Sequence, residues 1–185
     1  MGNAAVAIAL SGLSFLMTII WGDPVIRLLQ TWRIGKIPRA DGPEEHQGKL
    51  GTPTMGGIMF MIPVTLLTIL FNAVTIFGYD VLGRSVLLPV VTLWAYGLLG
   101  MIDDWEGIRG PRRGLGMRAQ TKFIIQVVFA IAIAFALRDI LEVPQLYWFT
   151  SEEVINLGPF YIPVAVFIIV GMSNAVNFLQ LKHMI

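Results

Sequence analysis

The sequence predicts an all-α, polytopic membrane protein of five transmembrane helices with its N-terminus outside, and three observations carry that prediction. Of 185 residues, 56% are hydrophobic and 14% charged, and the mean hydropathy is +0.73, far from an ordinary soluble domain. Uncharged windows recur at 1–22, 50–79, 85–102, 123–137 and 154–181. A spanning helix needs roughly 20 apolar residues, whereas a soluble core made of such windows would need a much longer chain. The charges are also segregated. Arg27, Arg33, Lys36, Arg39 and Lys49 follow the first window, and Arg109, Arg112, Arg113, Arg118 and Lys122 follow the third; together they make up most of the thirteen basic residues. By the positive-inside rule both basic loops are cytoplasmic.

Helix one is expected over about Ala4–Ile20, ending near Asp23-Pro24, because proline cannot continue a hydrogen-bonded turn. With no basic leader and no clear cleavage site, it reads as an anchor rather than a removed signal peptide. Loops 23–54 and 103–121 are then cytoplasmic parts of a single integral-membrane domain spanning 1–185. Helix two is expected from Met55 to Phe77, with Thr52 as N-cap and Pro53 in the first helical position. Helix three fills Ser85–Ile102. Helix four, Phe123–Leu137, is short, but Lys122 and Arg138 can snorkel from its ends. Tyr147, Trp148 and Phe149 then suit an interfacial aromatic belt, with room for a short external hairpin. Helix five runs from about Phe160 to Val176.

Three stretches carry chemistry. Asp103 and Asp104 stand at the exit of helix three, where acids either stop a helix at the water surface or mark a functional site. Adjacent helical residues point about 100° apart, so the two carboxylates are expected to take different partners. The run Lys49-Leu50-Gly51-Thr52-Pro53-Thr54-Met55-Gly56-Gly57 leads into helix two. Its first-turn amides suit an anion such as a phosphate, and equally a capped helix with glycines packed on a neighbour. Asn174 and Asn177, three apart on one helix face, suit a base, a phosphate, a metal-bound water or a hydrogen bond between helices. There is no cysteine and the net charge is only +1, so neither a thiolate metal site nor a general nucleic-acid-binding field is indicated.

Gly42-Pro43-Glu44-Glu45-His46, the Gly51–Gly57 run, Met101–Asp104 and Ser173–Asn177 occur in an order that closely resembles the phospho-N-acetylmuramoyl-pentapeptide transferases of bacterial cell-wall synthesis. These form a branch of the polyprenyl-phosphate N-acetylhexosamine-1-phosphate transferases. Gly116–Lys122 is similar to the family's motif before helix four, with Gln120 where a basic residue is often seen.

The resemblance implies a Mg2+-dependent transfer of phospho-MurNAc-pentapeptide from UDP-MurNAc-pentapeptide to undecaprenyl phosphate, giving lipid I and UMP. It implies a multi-pass protein of the bacterial inner membrane, in contact with membrane lipid, with its active site facing the cytoplasm. Asp103 and Asp104 would be the catalytic acids. Lys49, Thr54, Lys122, Asn174 and Asn177 would bind substrate, and Asp103 and Asn177 would be on the metal. Related reactions on another UDP-N-acetylhexosamine, or a non-catalytic membrane role, are the alternatives. The family continues after the second Asn with Thr-Asp-Gly-Leu-Asp-Gly and about as many helices again. Here Phe178 is followed by seven residues, so the expectation is a truncated chain, inactive unless a second half is supplied.

Overall fold

The computed structural model describes residues 3–32, 34–35, 54–76, 86–110, 116–143, 145–147 and 154–182. Among the described residues there are five α-helices: α1 (Asn3–Thr31), α2 (Ile58–Ile76), α3 (Leu87–Arg109), α4 (Ala119–Phe135) and α5 (Tyr161–Lys182). Stretches of four of them, Ile8–Thr31, Leu87–Arg109, Ala119–Ile140 and Gly158–Ala175, are long and apolar enough to cross a membrane. The apolar stretch found in α2, Ile58–Phe71, is shorter. The protein is an all-α polytopic membrane protein, as its composition predicts.

Two of the helices, α1 and α3, run well past the ends of the apolar windows that announced them. α1 does not stop at Asp23-Pro24; it carries Pro24 inside and ends at Thr31. A proline removes one backbone donor, but apolar membrane helices tolerate that loss when neighbouring groups re-satisfy the freed carbonyl. α3 likewise continues past its two acids for five residues, to Arg109. A charge marks where lipid gives way to water, and hydrogen bonding along the helix does not end there. Residues 23–31 and 103–109, expected in loops, are therefore helical. α5 extends to Lys182, and α4 starts at Ala119, earlier than the window at Phe123.

Two compact units divide the chain, Met1–Arg118 and Ala119–Ile185. In the first, α1 packs on α2 and α2 on α3. Gly22 of α1 lies against the Met59 side chain, and Gly97 of α3 against Met61, which is 2% exposed. Small residues let helix backbones approach closely where lipid gives no hydrophobic push. A polar bond adds to this contact, the Trp94 indole donating to Thr65 Oγ1 at 2.8 Å. Large apolar side chains such as Phe15, Ile19, Leu66, Ile69 and Val91 point outward, as suits a lipid-facing surface.

In the second unit α4 packs on α5. A buried stripe at helical spacing, Gln126, Ala130 and Ala134, runs along α4. α4 closes in a π-helical turn, Ala136–Ile140, with the Leu141 N–H donating to the Ala136 carbonyl at 3.0 Å. An antiparallel strand pair follows, β1 (Gln145–Tyr147) with β2 (Val154–Asn156), in the register Gln145 to Asn156 and Tyr147 to Val154. This is the short hairpin for which the sequence left room. A single turn of 3-10 helix, Gly158–Phe160, then leads into α5.

Candidate functional site

In the first unit the acid pair of α3 gathers two distant segments. Asp104 Oδ2 accepts the Met55 backbone N–H at 2.9 Å, and Asp103 Oδ1 accepts the Met117 N–H at 2.8 Å. The 100° step between neighbouring helical residues sends the carboxylates to different partners, as expected from their adjacency. Charge-assisted bonds from a carboxylate to a backbone amide are among the stronger hydrogen bonds in proteins. Each acid thus fixes a stretch of chain beside a helix entrance: Met55 ahead of α2, and Met117 ahead of Ala119.

The geometry at α2 differs from the expected cap. The helix begins at Ile58, not Met55; Thr52 and Pro53, expected as its N-cap and first position, lie outside the described residues. Met55 adopts φ +64°, and Gly56 and Gly57 form a turn after it. Few non-glycine residues take that left-handed conformation. Here the bond to Asp104 and one from the Thr54 N–H to the Ile34 carbonyl, 3.1 Å, hold it from both sides. The amides of Ile58, Met59, Phe60 and Met61 are already bonded to the carbonyls of residues 55–57. Of the amides expected to face an anion, that of Thr54 is bonded to the Ile34 carbonyl and that of Met55 to Asp104.

Thr54 stands out in this cluster. Its Oγ1 is buried and has no hydrogen-bond partner among the described residues. Burying an unsatisfied hydroxyl costs about 1–3 kcal/mol, so such an atom usually has a ligand, water or ion to meet. On the other side of the acids, Gly116 has φ +68°, and a Cβ there would come within 2.7 Å of Asp103 Oδ1. Only glycine lets the chain turn this closely past the carboxylate. One turn further along α3, the Arg109 guanidinium lies over the Trp105 ring, 4.8 Å from its centroid.

The structure brings Thr54 close to the acid pair through the neighbouring Met55, whereas Lys122, Asn174 and Asn177 belong to the second unit. Lys49 and the Gly42–His46 motif lie outside the described residues, and for Asn177 only the helical backbone is described. Asn174 Nδ2 donates to Gln126 Oε1 at 2.9 Å and to the Val170 carbonyl at 2.8 Å. The bond between helices offered as one reading of this amide is thus present. Its partner, Gln126, is 3% exposed and was not singled out from the sequence. The available signal was a lone amide in an apolar window, one helical turn after Lys122. Among the described residues no three His, Cys, Asp or Glu side chains converge to form a metal site.

Apolar spanning helices, with an acid pair that anchors the chain beside a helix entrance, define an integral membrane protein. The model of glycosyl transferase family 4 matches residues 86–180, just over half of the sequence. The chain belongs to glycosyl transferase family 4. It is also similar to curated proteins named phospho-N-acetylmuramoyl-pentapeptide-transferase. That of Chloroflexus aurantiacus is 39% identical over 95% of this chain and 47% of its own length. Those of Halalkalibacterium halodurans and Oceanobacillus iheyensis are 36% and 33% identical, each over 89% of this chain and 49% of their own lengths. The chain spans about half the length of these relatives.

Proposed function

We propose that this chain serves the transfer of phospho-MurNAc-pentapeptide from UDP-MurNAc-pentapeptide to undecaprenyl phosphate. In the net reaction a bond forms between an oxygen of the lipid phosphate and the sugar-bearing phosphorus, the bond from that phosphorus to the bridging oxygen breaks, and UMP leaves as lipid I forms. This holds for direct attack and for a covalent aspartyl intermediate alike. The observation that carries the reading is the cluster of Asp103, Asp104 and the buried Thr54 hydroxyl, which has no hydrogen-bond partner among the described residues. The names of the relatives support the same substrates. The segregated basic loops support an inner-membrane protein whose acids face the cytoplasm.

In phosphoryl transfer, positioning and charge neutralisation supply most of the rate. Asp103 and Asp104 are assigned to the acceptor phosphate and its metal, and Thr54 and Lys49 to the donor. Lys122, Asn174 and Asn177 keep the phosphate- and donor-binding roles that their motifs suggest, with Asn177 a further candidate metal ligand. The donor set suits Mg2+, a hard ion that uses one or two carboxylates and completes its shell with water and phosphate oxygens. When bound it would neutralise charge on the diphosphate.

The test is Mg2+-dependent UMP release from UDP-MurNAc-pentapeptide in lipid nanodiscs. The chain is assayed alone and co-expressed with the portion of a relative that lies beyond the matched half. Release is expected only in the co-expressed sample, and release by the 185-residue chain alone would overturn the expectation of dependence. A panel of UDP-N-acetylhexosamines separates the sugars. If Asp103→Asn and Asp104→Asn both leave release unchanged, the enzymatic reading fails and a non-catalytic membrane role takes its place.

A further inference from the structure

The strongest unassigned feature lies in the second unit, where Gln126 and Asn174 meet. A backbone carbonyl can only accept a hydrogen bond, so the Asn174 atom 2.8 Å from the Val170 oxygen must be the amide nitrogen. That fixes which way the Asn174 amide points. The same nitrogen lies 2.9 Å from the Gln126 side-chain amide, so the Gln126 atom facing it must be the oxygen. Both Nδ2 protons of Asn174 are thereby committed, one to its own helix and one to α4. What Asn174 has left to offer is Oδ1, which accepts and cannot donate.

We infer that Gln126 is a positioning residue that makes Asn174 an acceptor-only contact, so that Asn174 receives an electropositive group and never a phosphoryl oxygen. The inference rests on the proposed role of Asn174 in binding and narrows it. A phosphate oxygen needs a donor, and Asn174 has none to spare. The groups that fit Oδ1 are a divalent cation, a cation-bound water, or an N–H or O–H of the base or sugar of the donor. Gln126 is the only buried polar or charged residue among those described. Burying an amide is costly unless its bonds are made, which suits a group retained for orientation.

The test uses the full chain, labelled with 15N-asparagine in nanodiscs, with the Asn174 side-chain resonances identified through an Asn174→Leu variant. In the unsubstituted chain both Nδ2 protons should be protected from exchange; fast exchange of either would overturn the geometry. Gln126→Met, which removes the acceptor, should speed exchange of one proton roughly five- to tenfold, the equivalent of one hydrogen bond. Gln126→Glu, which keeps an oxygen at the same reach, should restore protection. Mg2+ alone, uridine alone and inorganic phosphate alone are then added in turn. A shift with Mg2+ or uridine while both protons stay protected supports the inference. A shift with phosphate accompanied by loss of protection, or no shift with any probe, overturns it. Failure of UMP release with these responses intact would count against the proposed reaction and not against Gln126.

Discussion

Asp104 and Met55, 49 positions apart in sequence, are joined by a 2.9 Å hydrogen bond from backbone amide to carboxylate. The bond ties the C-terminal part of α3 to the turn that opens α2, and it holds a non-glycine residue in a left-handed conformation. Asp104→Ala should leave the Met55 N–H without a partner at a cost of about 1–3 kcal/mol. Asp104→Asn should cost less, because its amide oxygen still accepts. Hydrogen exchange at Met55 is the check: faster in the alanine variant, nearly unchanged in the asparagine variant. Equal protection in all three would remove the bond from the account of this turn.

Gly116→Ala should be destabilising for two separate reasons. The left-handed backbone costs a non-glycine residue roughly 1–2 kcal/mol, and the new Cβ would press on the Asp103 carboxylate. Moving that carboxylate releases the Met117 N–H. Thermal unfolding in detergent should fall, with a parallel loss of Met117 amide protection. A lower melting point with Met117 still protected would assign the effect to backbone strain alone.

Gly97 and Gly100 share α3 but differ in what a methyl group would meet. At Gly97 it would run into the buried Met61 thioether, whereas at Gly100 nothing lies within 4 Å. Gly97→Ala should therefore cost about 1–3 kcal/mol by overpacking. Gly100→Ala should be neutral or stabilising by up to about 1 kcal/mol through helix propensity. Adding Met61→Ala to the Gly97 variant should recover part of the loss, and strictly additive melting temperatures would disprove that contact.

A double-mutant cycle of Trp94→Phe with Thr65→Val isolates the 2.8 Å indole–hydroxyl bond between α2 and α3. Hydrogen bonds between membrane helices average about 0.6 kcal/mol and reach about 1.7, and the coupling should fall in that range. Zero coupling would leave Trp94 with packing alone.

The spans were legible because lipid enforces one simple rule, a long run without charge, and the windows around Leu99 or Val170 obey it. Helix ends were less legible because they answer to hydrogen bonding. Pro24 looks like a stop and sits inside α1, while Asp103 and Asp104 look like an exit and sit inside α3. The local pattern suggested a helix entered from Thr52 and running from Met55, but the left-handed Met55 precedes a turn and α2 starts at Ile58. That shift depends on a carboxylate 49 residues away, which no local reading supplies. The acid pair was visible as a pair, but its partners Met55 and Met117 were not, since backbone amides leave no trace in a sequence. Gln126 was overlooked because one amide in an apolar run gains meaning only when Asn174 is seen opposite it.

The π-helical turn at Ala136–Ile140 closes its ring one residue wider than an α-helical turn, as the Leu141 to Ala136 bond records. It therefore stores a spare residue at the seam between helix and hairpin. Removing one position from that turn would leave an ordinary α-helical turn, with Ala134 and everything before it in their original phase. An insertion would have no such slack to use. Length variation at this seam should thus be lopsided, with shortening absorbed and lengthening felt by the hairpin beyond it.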